Sequence, residues 1–300
     1  MGEKGKFDFS DLTYLIPVHN EETQIEGCLR SVRARDELSK IIVIDDHSSD
    51  STRARILKLN FTNVETIGSR GRGVAAALNT GLEHSRTRFC VRLDADDRNL
   101  TSRSKIIIDE LNNENASVYF SRAQIKPFFA SMRRPKYFRF TQEQNLKWLL
   151  LVSNVILHPS VCIDKSSGVK NPGYPNEIGV EDYLLWIQIL GAGGKFKYIN
   201  RKTIIYNRSK NATSSLLNRS RITVSEAALE TFMKFQSLIL GSSNKHGAGL
   251  ALSGGGDFTS ITHGILYFIK VIWKAPLRAK PNLVHNCAIM ILKMFLLKKT

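Results

Sequence analysis

Three aspartates, Asp94, Asp96 and Asp97, directly follow an apolar run of the chain. Carboxylates that a buried strand delivers into one loop repel each other, and a cation is the natural compensation for this concentrated charge. Mg²⁺ and Mn²⁺ prefer hard oxygen ligands and commonly bind one or two carboxylates together with substrate phosphates. The cluster therefore predicts a divalent-metal site that holds a diphosphate.

The residues after these acids exclude a calcium-binding EF-hand loop, and a helix cap stays open as an alternative to a metal site. A calcium-binding EF-hand loop starting at Asp94 needs glycine at its sixth position and glutamate at its twelfth, where this chain has Asn99 and Lys105. The aspartates could instead cap a helix that begins near Thr101. A second acidic pair, at the end of a neighbouring strand, favours the metal site.

That second pair is Asp45 and Asp46, which follow the apolar run at residues 41–44. At the end of a strand, a carboxylate can accept a hydrogen bond from the imide N–H of a pyrimidine base or from a ribose hydroxyl. The alternative is a simple turn followed by a helix that Asp50 caps. The pair predicts a nucleoside pocket beside the metal site.

A glycine-containing loop at residues 71–76, GRGVAA, fits the pattern G-x-G-x-x-A. As a dinucleotide fingerprint the pattern belongs after the first strand of a domain, whereas this copy follows the third. We therefore interpret it as a loop that begins a helix, where Arg72 and Gly73 approach a bound nucleotide. The chain has no Walker A motif.

Glu181 and Asp182 lie in the first turn of an apolar predicted helix. The helix dipole stabilises acids at that position, so a purely structural role is one interpretation. The alternative is that a carboxylate held near an acceptor hydroxyl acts as a general base. The metal and nucleotide sites predicted above favour catalysis.

The elements that position these residues alternate between strand and helix. Apolar runs predict strands at residues 12–18, 40–44, 63–67 and 88–93, and helical patterns predict helices near 22–35, 51–59 and 73–85. This rhythm predicts an α/β fold with a mainly parallel sheet, in which ligands bind at the carboxyl ends of the strands. The acidic or polar segments that end the first, second and fourth of these strands, at 17–21, 45–50 and 94–97, are expected to converge on that edge.

The rest of the chain is less regular. A mixed aromatic and basic stretch at about 128–140 precedes a predicted strand at 158–163, a helix at 180–190, one or two strands at 196–206 and a helix at 222–240. Residues 241–256 have the composition of a flexible linker. We predict a catalytic domain at 1–215, with a nucleotide half at about 10–125 and an acceptor half at about 126–215, and a basic helical region at 216–300.

Charge and composition limit the possible partners and the cellular location of the protein. The formal net charge is +16, which favours nucleic acid, an anionic membrane surface or phosphate-bearing ligands as partners. The four scattered cysteines show no zinc spacing and fit a reducing compartment. The N-terminus has no apolar region typical of a signal peptide, and the longest apolar run, 287–297, is too short to span a bilayer, so we expect a cytoplasmic protein.

Several sequence segments, taken in their order along the chain, resemble family 2 glycosyltransferases with a GT-A fold, in particular bacterial enzymes that build capsule, exopolysaccharide and lipopolysaccharide chains. The resemblance covers residues 12–213. Its marks are IPVHNEE at 16–22, IDDHSSD at 44–50, the segment 73–81 leading into RLDADD at 92–97, HPS at 158–160 and EDYLLW at 181–186. It implies a Rossmann-like, mainly parallel central sheet flanked by helices, with a C-terminal helical extension.

The resemblance also implies roles for individual residues. Asp96 would be the principal metal ligand, Asp94 would touch the ribose or the metal shell, and Asp182 would be the catalytic base with support from Glu181. The remaining residues of the donor pocket would be Pro17, Asn20, Glu21, Asp46, Arg72, Gly73 and Ala95. The candidates on the acceptor side are His158, Ser160 and Trp186.

The implied reaction is an inverting, single in-line displacement that uses Mn²⁺ or Mg²⁺. The donor would be a nucleoside-diphosphate sugar, with UDP expected as the nucleotide and a hexose or N-acetylhexosamine as the sugar. The acceptor would be a hydroxyl of a lipid-linked or cell-surface glycan. Two departures from the family pattern, His47 in place of glycine and Leu78 in place of arginine, bear on the identity of the donor.

From residue 258 onward the chain has seven Lys or Arg and no acid. The apolar segments 261–273 and 283–297, flanked by lysines, fit helices in a membrane interface, and a solvated helical cap is the alternative. We therefore expect a peripheral protein on the cytoplasmic face of the inner membrane.

Two other functions compete with glycosyl transfer. A sugar-nucleotide nucleotidyltransferase would carry a glycine-rich loop with Arg and Lys after its first strand, and residues 17–24 contain none of these three residue types. A nucleic-acid-binding module would explain the charge, but the 128–140 stretch lacks the spacing of an RNA-binding sheet. No nucleic-acid partner is expected.

Overall fold

The computed structural model describes residues 7–33, 39–100, 102–126, 145–167, 173–207, 225–243, 248, 261–276, 279–281, 283, 284 and 287, with the backbone alone for 261–266. These residues divide into two compact units. The first comprises the described residues up to 126 together with 157–167, 173–174 and 194–207. The second comprises 145–156, 175–193 and the described residues from 225 onward.

An eight-stranded sheet forms the centre of the first unit. Its strands are β1 (Leu12–Val18), β2 (Lys40–Asp45), β3 (Val64–Gly68), β4 (Phe89–Arg92), β5 (Arg98–Asn99), β6 (Val118–Lys126), β7 (Cys162–Asp164) and β8 (Phe196–Asn207). They lie in the order β3-β2-β1-β4-β7-β6-β8-β5. The four strands predicted from the apolar runs form the half β3-β2-β1-β4, which is parallel throughout.

The other half of the sheet is mixed. Strand β7 runs antiparallel to β4 and β6, and β5 runs antiparallel to β8, whereas β6 and β8 are parallel. The expectation of an α/β fold with a mainly parallel sheet is confirmed, since four of the seven strand pairings are parallel, the three of the first half and β6 with β8. The strand predicted at 158–163 is wrong in its first part, because His158–Ser160 form a 3₁₀ helix. Pro159 has no N–H to contribute to a strand ladder there.

The described residues of the first unit form four α-helices: α1 (Ile25–Arg33), α2 (Thr52–Leu59), α3 (Val74–His84) and α4 (Arg103–Asn113). Helix α1 buries Ile25, Cys28, Leu29 and Val32, the i, i+3, i+4, i+7 pattern of a one-sided apolar face. Helix α3 lies close to the sheet at Gly81, where a Cβ would be 2.9 Å from Ile44 Cδ1. Helix α3 therefore packs directly against β1 and β2, and α1 shares one hydrophobic core with residues of β1, β2 and β4.

The second unit is helical in its described residues. Its helices are α5 (Leu146–Leu150), α6 (Glu181–Gly191), α7 (Glu226–Leu240) and α8 (Ile261–Lys274). Tyr183 of α6 packs edge-on against Phe232 of α7, with ring centroids 5.7 Å apart. The Tyr267 hydroxyl of α8 donates to the Leu151 carbonyl at 2.7 Å. Aromatic packing and this buried hydrogen bond hold the helices together.

Several expectations meet the structure only in part. The helix predicted for the acceptor half clusters with the residues after 225, so the second unit is more than a C-terminal region, and the functional division at 215 stays a prediction. The stretch at 128–140 lies outside the described residues, as do Arg278, Lys293, Lys298 and Lys299. All four cysteines are free and buried. No helix among the described residues combines the length and hydropathy needed to cross a bilayer.

Candidate functional site

The carboxyl ends of β1, β2 and β4 bring the predicted clusters to one edge of the sheet. Val18 at the end of β1 pairs with Asp45 at the end of β2. On the other side of β1, Leu15 pairs with Arg92, and the Leu93 N–H donates to the Leu15 carbonyl at 3.2 Å. The loops that begin at His19, Asp46 and Leu93 therefore leave the sheet side by side, as the sequence predicts. Pro17 lies within β1, opposite Ile44.

Asn20 connects the first two of these loops. It adopts a left-handed conformation with φ of 55°. Its Oδ1 accepts the Ser49 N–H at 2.8 Å, and its own N–H donates to Ser48 Oγ at 3.1 Å. The neighbouring His19 donates from Nδ1 to the Asp46 carbonyl at 2.6 Å. Asn20 thus joins these two loops, and its predicted contact with a donor stays a prediction.

Asp45 and Asp46 have different surroundings. Asp45 is buried, and its carboxylate accepts the Ser48 N–H at 3.1 Å and pairs with Arg53 at 3.2 Å. Asp46 instead accepts the Gly73 N–H on Oδ2 at 2.7 Å. The structure therefore brings together Asp46 and Gly73, two residues predicted to bind the sugar donor. Asp45 instead stabilises the turn that follows β2.

Gly73 stands immediately before α3 with φ of 90°, a conformation that favours glycine. In this conformation its N–H donates to the carboxylate of Asp46, just before the helix begins. Arg72 beside it is exposed. This arrangement fits the interpretation of residues 71–76 as a loop that begins a helix at the edge of a nucleotide pocket.

Asp94, Asp96 and Asp97 form an acidic cluster after β4. One carboxylate oxygen from each lies within 4.8 Å of the others, and no second cluster of three potential ligands of this kind occurs in the described parts of the chain. Asp97 accepts the Asn207 N–H on Oδ1 at 2.8 Å, while its Oδ2 is buried with no hydrogen-bond partner. Ala95 is buried between the acids. The cluster offers hard oxygen ligands, one of them unsatisfied by the protein.

Two arginines flank the cluster. Arg92, buried at the end of β4, forms an ion pair with Asp94, and its Nε and Nη1 have no hydrogen-bond partner. Arg98 donates from Nη1 to the Asp97 carbonyl at 2.8 Å and from Nη2 to Gln24 Oε1 at 2.9 Å. Gly27 of α1 makes room for this guanidinium, since a Cβ there would lie 2.5 Å from Nη2. The arginines hold the acidic loop in place without neutralising it.

Burial and mutual repulsion raise the pKa values of the acids. Burial raises the pKa of Asp96 from 3.8 to about 6, and Asp94 adds to the effect while Arg92 opposes it. Burial likewise raises the pKa of Glu21 from 4.5 to about 7, with Asp96 and Asp94 as further causes. The pKa of Asp97 is raised in the same way by burial, Asp94 and Asp96. Glu21 therefore shares the electrostatic environment of the cluster.

The raised pKa of Asp96 predicts a pH effect on the metal-free protein. A carboxyl group whose pKa is higher in the folded state binds its proton more tightly when folded, so its ionisation opposes folding as the pH rises. The Tm of Asp96→Asn, measured with a chelator, should exceed that of the wild type by a margin that widens from pH 3.8 to about 6 and then levels off. A margin that is independent of pH would contradict this cause.

The predicted base lies in the second unit. Asp182 is the second residue of α6, and its Oδ2 accepts from Asn154 Nδ2 at 2.9 Å, while the Tyr183 N–H donates to Oδ1 at 2.7 Å. The preceding Glu181 is buried. Tyr183 also donates its hydroxyl to the Leu150 carbonyl. The carboxylate of Asp182 is therefore held in a defined orientation at a helix N-terminus, and its role as the base stays a prediction.

The three acceptor-side candidates are buried: His158, Ser160 and Trp186. His158 shares a hydrogen bond of 3.0 Å with the Tyr174 hydroxyl, and burial, with Arg92 as a second cause, lowers its pKa well below 6.5. Tyr174 is in turn held by Asn79 of α3 through two hydrogen bonds, of 2.7 and 2.8 Å. In this structure these side chains pack in the interior, and their contact with an acceptor stays a prediction.

Sequence reasoning missed the residues that hold the predicted ones. Arg92 lies within the RLDADD block, where its position before Asp94 was an available signal. Asn207 donates from Nδ2 to the Asp96 carbonyl as well as from its N–H to Asp97. Asn154 and Asn207 are distant in sequence from their partners, and no local pattern marks them.

Comparison with curated proteins gives bacterial polysaccharide enzymes. The chain is 26% identical over 182 residues to the UDP-Glc:alpha-D-GlcNAc-diphosphoundecaprenol beta-1,3-glucosyltransferase WfgD of Escherichia coli. The match covers 60% of this chain and 69% of that protein. The similarity therefore extends over most of both chains at low identity.

Solved structures confirm the GT-A fold. The structure of S. aureus TarS 1-349 in complex with UDP-GlcNAc matches with a TM-score of 0.58 and 15% identity, over 96% of this chain and 90% of that one. The mannosyltransferase PcManGT from Pyrobaculum calidifontis, solved with GDP-Man and Mn2+, matches with a TM-score of 0.59 and 14% identity, over 96% and 86% of the two chains. At this identity the similarity describes the fold.

The model of the family described as "Glycosyl transferase family 2" matches residues 13–165. The matched range contains the strand-end loops with Asn20, Asp46 and the acidic cluster. This match favours glycosyl transfer over nucleotidyl transfer. The chain therefore belongs to glycosyl transferase family 2, and it is a glycosyltransferase.

Proposed function

We propose that the chain transfers a hexose or N-acetylhexosamine from a UDP-sugar to a hydroxyl of a lipid-linked or cell-surface glycan, with inversion at the anomeric carbon. The observation that carries the proposal is the acidic cluster, whose three carboxylates lie within 4.8 Å of one another at the sheet edge that also holds Asp46 and Gly73. The named substrates of WfgD, a UDP-sugar and a diphosphoundecaprenol-linked acceptor, support it. Structures of the same fold with UDP-GlcNAc and with Mn2+ add support.

The residues of the cluster fit a divalent cation, Mn²⁺ or Mg²⁺. Their ligand atoms are hard oxygens, and Asp97 Oδ2 is buried without a hydrogen-bond partner. Asp96 and Asp94 would hold the ion, with Arg92 fixing the carboxylate of Asp94. When bound, such an ion supplies positive charge for the diphosphate that leaves the sugar. Asp97, tied to Asn207, would keep the loop in position.

The other residues have separate tasks in this proposal. Asp46 and Asn20 shape the wall against which the nucleoside binds, and Glu21 shares the electrostatic environment of the cluster. Asp182, oriented by Asn154, removes the proton from the acceptor hydroxyl as its oxygen attacks C1 of the sugar. The bond from C1 to the diphosphate breaks in the same step, which gives inversion. Glu181 supports the base from within the helix.

A lipid-linked acceptor would place the enzyme at a membrane. We propose a peripheral protein on the cytoplasmic face of the inner membrane, with anionic lipid attracting the net charge of +16. Nucleic acid is not a partner in this proposal.

The test is a screen of nucleotide sugars with Mn²⁺ or Mg²⁺, in which release of nucleoside diphosphate is measured with a short lipid-linked GlcNAc acceptor. We expect UDP-sugars to be turned over and the anomeric configuration of the product, determined by NMR, to be inverted. Retention of configuration would contradict the single-displacement mechanism. Turnover of GDP-sugars alone would contradict the proposed nucleotide.

His47 offers a separate prediction about the donor. Its φ is 58°, and its Nδ1 lies 3.2 Å from Asp46 Oδ1 with the ring half-exposed. Glycine adopts this backbone conformation without strain, so His47→Gly should fold with little change in Tm. Removing the ring should widen the pocket and reduce the ratio of kcat/KM between the best and the second-best donor by about tenfold. An unchanged ratio would show that His47 does not limit the choice of donor.

A further inference from the structure

Exposed apolar side chains concentrate in the described residues after 225. The large apolar residues with the highest exposure are Leu57, Ile178, Leu238, Ile269, Trp273 and Val284. Four of these six follow residue 225, and Ile269 and Trp273 lie four residues apart on α8, with 56% and 77% of their surface exposed. Residues at this spacing are neighbours on one helix face. Single exposed apolar residues are ordinary, whereas apolar residues that adjoin on one face form a patch of the kind that interaction surfaces use.

Helix α8 has a buried side and a mixed exposed side. Among the described side chains at 267–275, the buried ones are Tyr267, Phe268, Val271 and Ala275, the last of these just past the end of the helix. At about 100° per residue, Ile269 and Trp273 occupy one half of the remaining circumference, and Lys270 and Lys274 occupy the other half. We call these four residues the exposed arc. An apolar half beside a cationic half is the composition of a helix that lies in a membrane interface.

The end of α7 lies beside the cationic half of the exposed arc. Lys270 donates to Ser242 Oγ at 2.7 Å, and Lys274 donates to the Leu240 carbonyl at 2.6 Å. The same end of α7 carries Leu238, which is 63% exposed. These two hydrogen bonds therefore hold the lysine ammonium groups at the end of α7. Both helices carry exposed apolar side chains close in sequence to these contacts, Leu238 on α7 and Trp273 on α8.

Charge decides which partner fits this surface. No Asp or Glu occurs after Asp257, whereas Lys270, Lys274 and Lys280 are among seven basic residues in the same segment. An anionic bilayer complements this charge, and a tryptophan at such a surface can place its ring among the headgroups. We infer that the exposed arc, with Leu238, is a membrane-docking surface that takes an anionic lipid bilayer and inserts Trp273 and Ile269 into the headgroup region.

The inference deepens the proposed function, since a lipid-linked acceptor would be presented at the same bilayer. It can be tested separately, because binding to vesicles needs neither donor nor acceptor. The full chain is mixed with vesicles of phosphatidylcholine and phosphatidylglycerol in equal parts, or of phosphatidylcholine alone, and sedimented. We expect binding to the anionic vesicles that decreases with added salt.

The variants separate the two halves of the exposed arc. Trp273→Ala should reduce the partition coefficient about tenfold at any salt concentration. Lys270→Gln and Lys274→Gln should each reduce it about fivefold at low salt and have little effect at high salt. The matched controls are Leu57→Ala and Lys58→Gln on α2, an exposed leucine and lysine in the first unit, and these should bind like the wild type.

Fluorescence reports the insertion directly. Trp273 is exposed, whereas the other two tryptophans, Trp148 and Trp186, are buried. Lipids brominated near the headgroup end of the acyl chain should therefore reduce the emission of Trp273 towards that of Trp273→Ala and leave the emission of the variant unchanged. Absence of quenching, or equal sedimentation of Trp273→Ala and Leu57→Ala, would overturn the inference. A dimer in analytical ultracentrifugation that Trp273→Ala dissociates, without vesicle binding by the wild type, would assign the surface to a second copy.

Discussion

Asp96→Ala is expected to reduce metal-dependent release of nucleoside diphosphate by at least about 100-fold. A metal ion at a leaving diphosphate contributes several kcal/mol of charge stabilisation, and a factor of ten in rate corresponds to about 1.4 kcal/mol. Asp96 offers one of three oxygen ligands within 4.8 Å of each other, so its loss removes a primary contact of the proposed ion. Turnover is measured with the donor identified in the screen, over a range of Mn²⁺ concentrations.

Thermal stability distinguishes this effect from misfolding. Because burial and Asp94 raise the pKa of Asp96, its ionised carboxylate opposes folding at neutral pH, and the metal-free variant should melt at or above the Tm of the wild type. Mn²⁺ with UDP should raise the Tm of the wild type and not that of Asp96→Ala. Asp109→Ala, an exposed acid on α4, is the matched control and should behave like the wild type. Equal turnover by Asp96→Ala and the control would refute the metal site.

Asp182→Asn is expected to reduce transfer to the acceptor by about 10²-fold to 10⁴-fold, the usual contribution of a general base. Asparagine keeps the shape of the side chain and one accepting oxygen, so it can keep one of the two hydrogen bonds, from Asn154 Nδ2 or from the Tyr183 N–H, while the basicity is lost. The affinity for UDP-sugar, measured by calorimetry with Mn²⁺, should stay within about twofold of the wild type. The variant should therefore bind donor and fail to transfer the sugar.

Glu226→Gln is the matched control for Asp182→Asn. Glu226 is an exposed acid in the first turn of another helix of the same unit, so its replacement removes the same interaction with a helix dipole. We expect the control to keep full transfer activity. If Asp182→Asn lost donor affinity together with transfer, the carboxylate would belong to the donor site instead of acting as the base.

The strand-end loops could be predicted because local pattern determines them. The run that forms β1 has the bounds expected from its apolar residues, and β2 differs from its predicted end by one residue. Parallel strands then bring their carboxyl ends together, so the proximity of the loops follows from the order of the elements. The contact between Asp46 and Gly73 is of this kind.

The parts that could not be predicted depend on contacts between distant segments. Helix α1 begins at Ile25 rather than near 22, and the turn before it is tied to the neighbouring loop by the Glu22 N–H, which donates to Asp50. Asn207 reaches Asp97 only because β8 pairs with β5, a pairing that no local signal encodes. Likewise, the apolar spacing at 158–163 suggested a strand, and tertiary structure replaced its first part with a 3₁₀ turn.

The hydrogen bonds of Asn20 have a consequence for how this chain can vary. One amide side chain fixes the backbone of Ser49, and Ser48 in return fixes the backbone of Asn20, although the two segments are separated by nearly thirty positions. The effect of a substitution in one segment on stability therefore depends on the residues present in the other. Chimeras with related enzymes should consequently exchange residues 16–22 and 44–50 together, since a hybrid carrying only one of them would combine two loops selected for different partners.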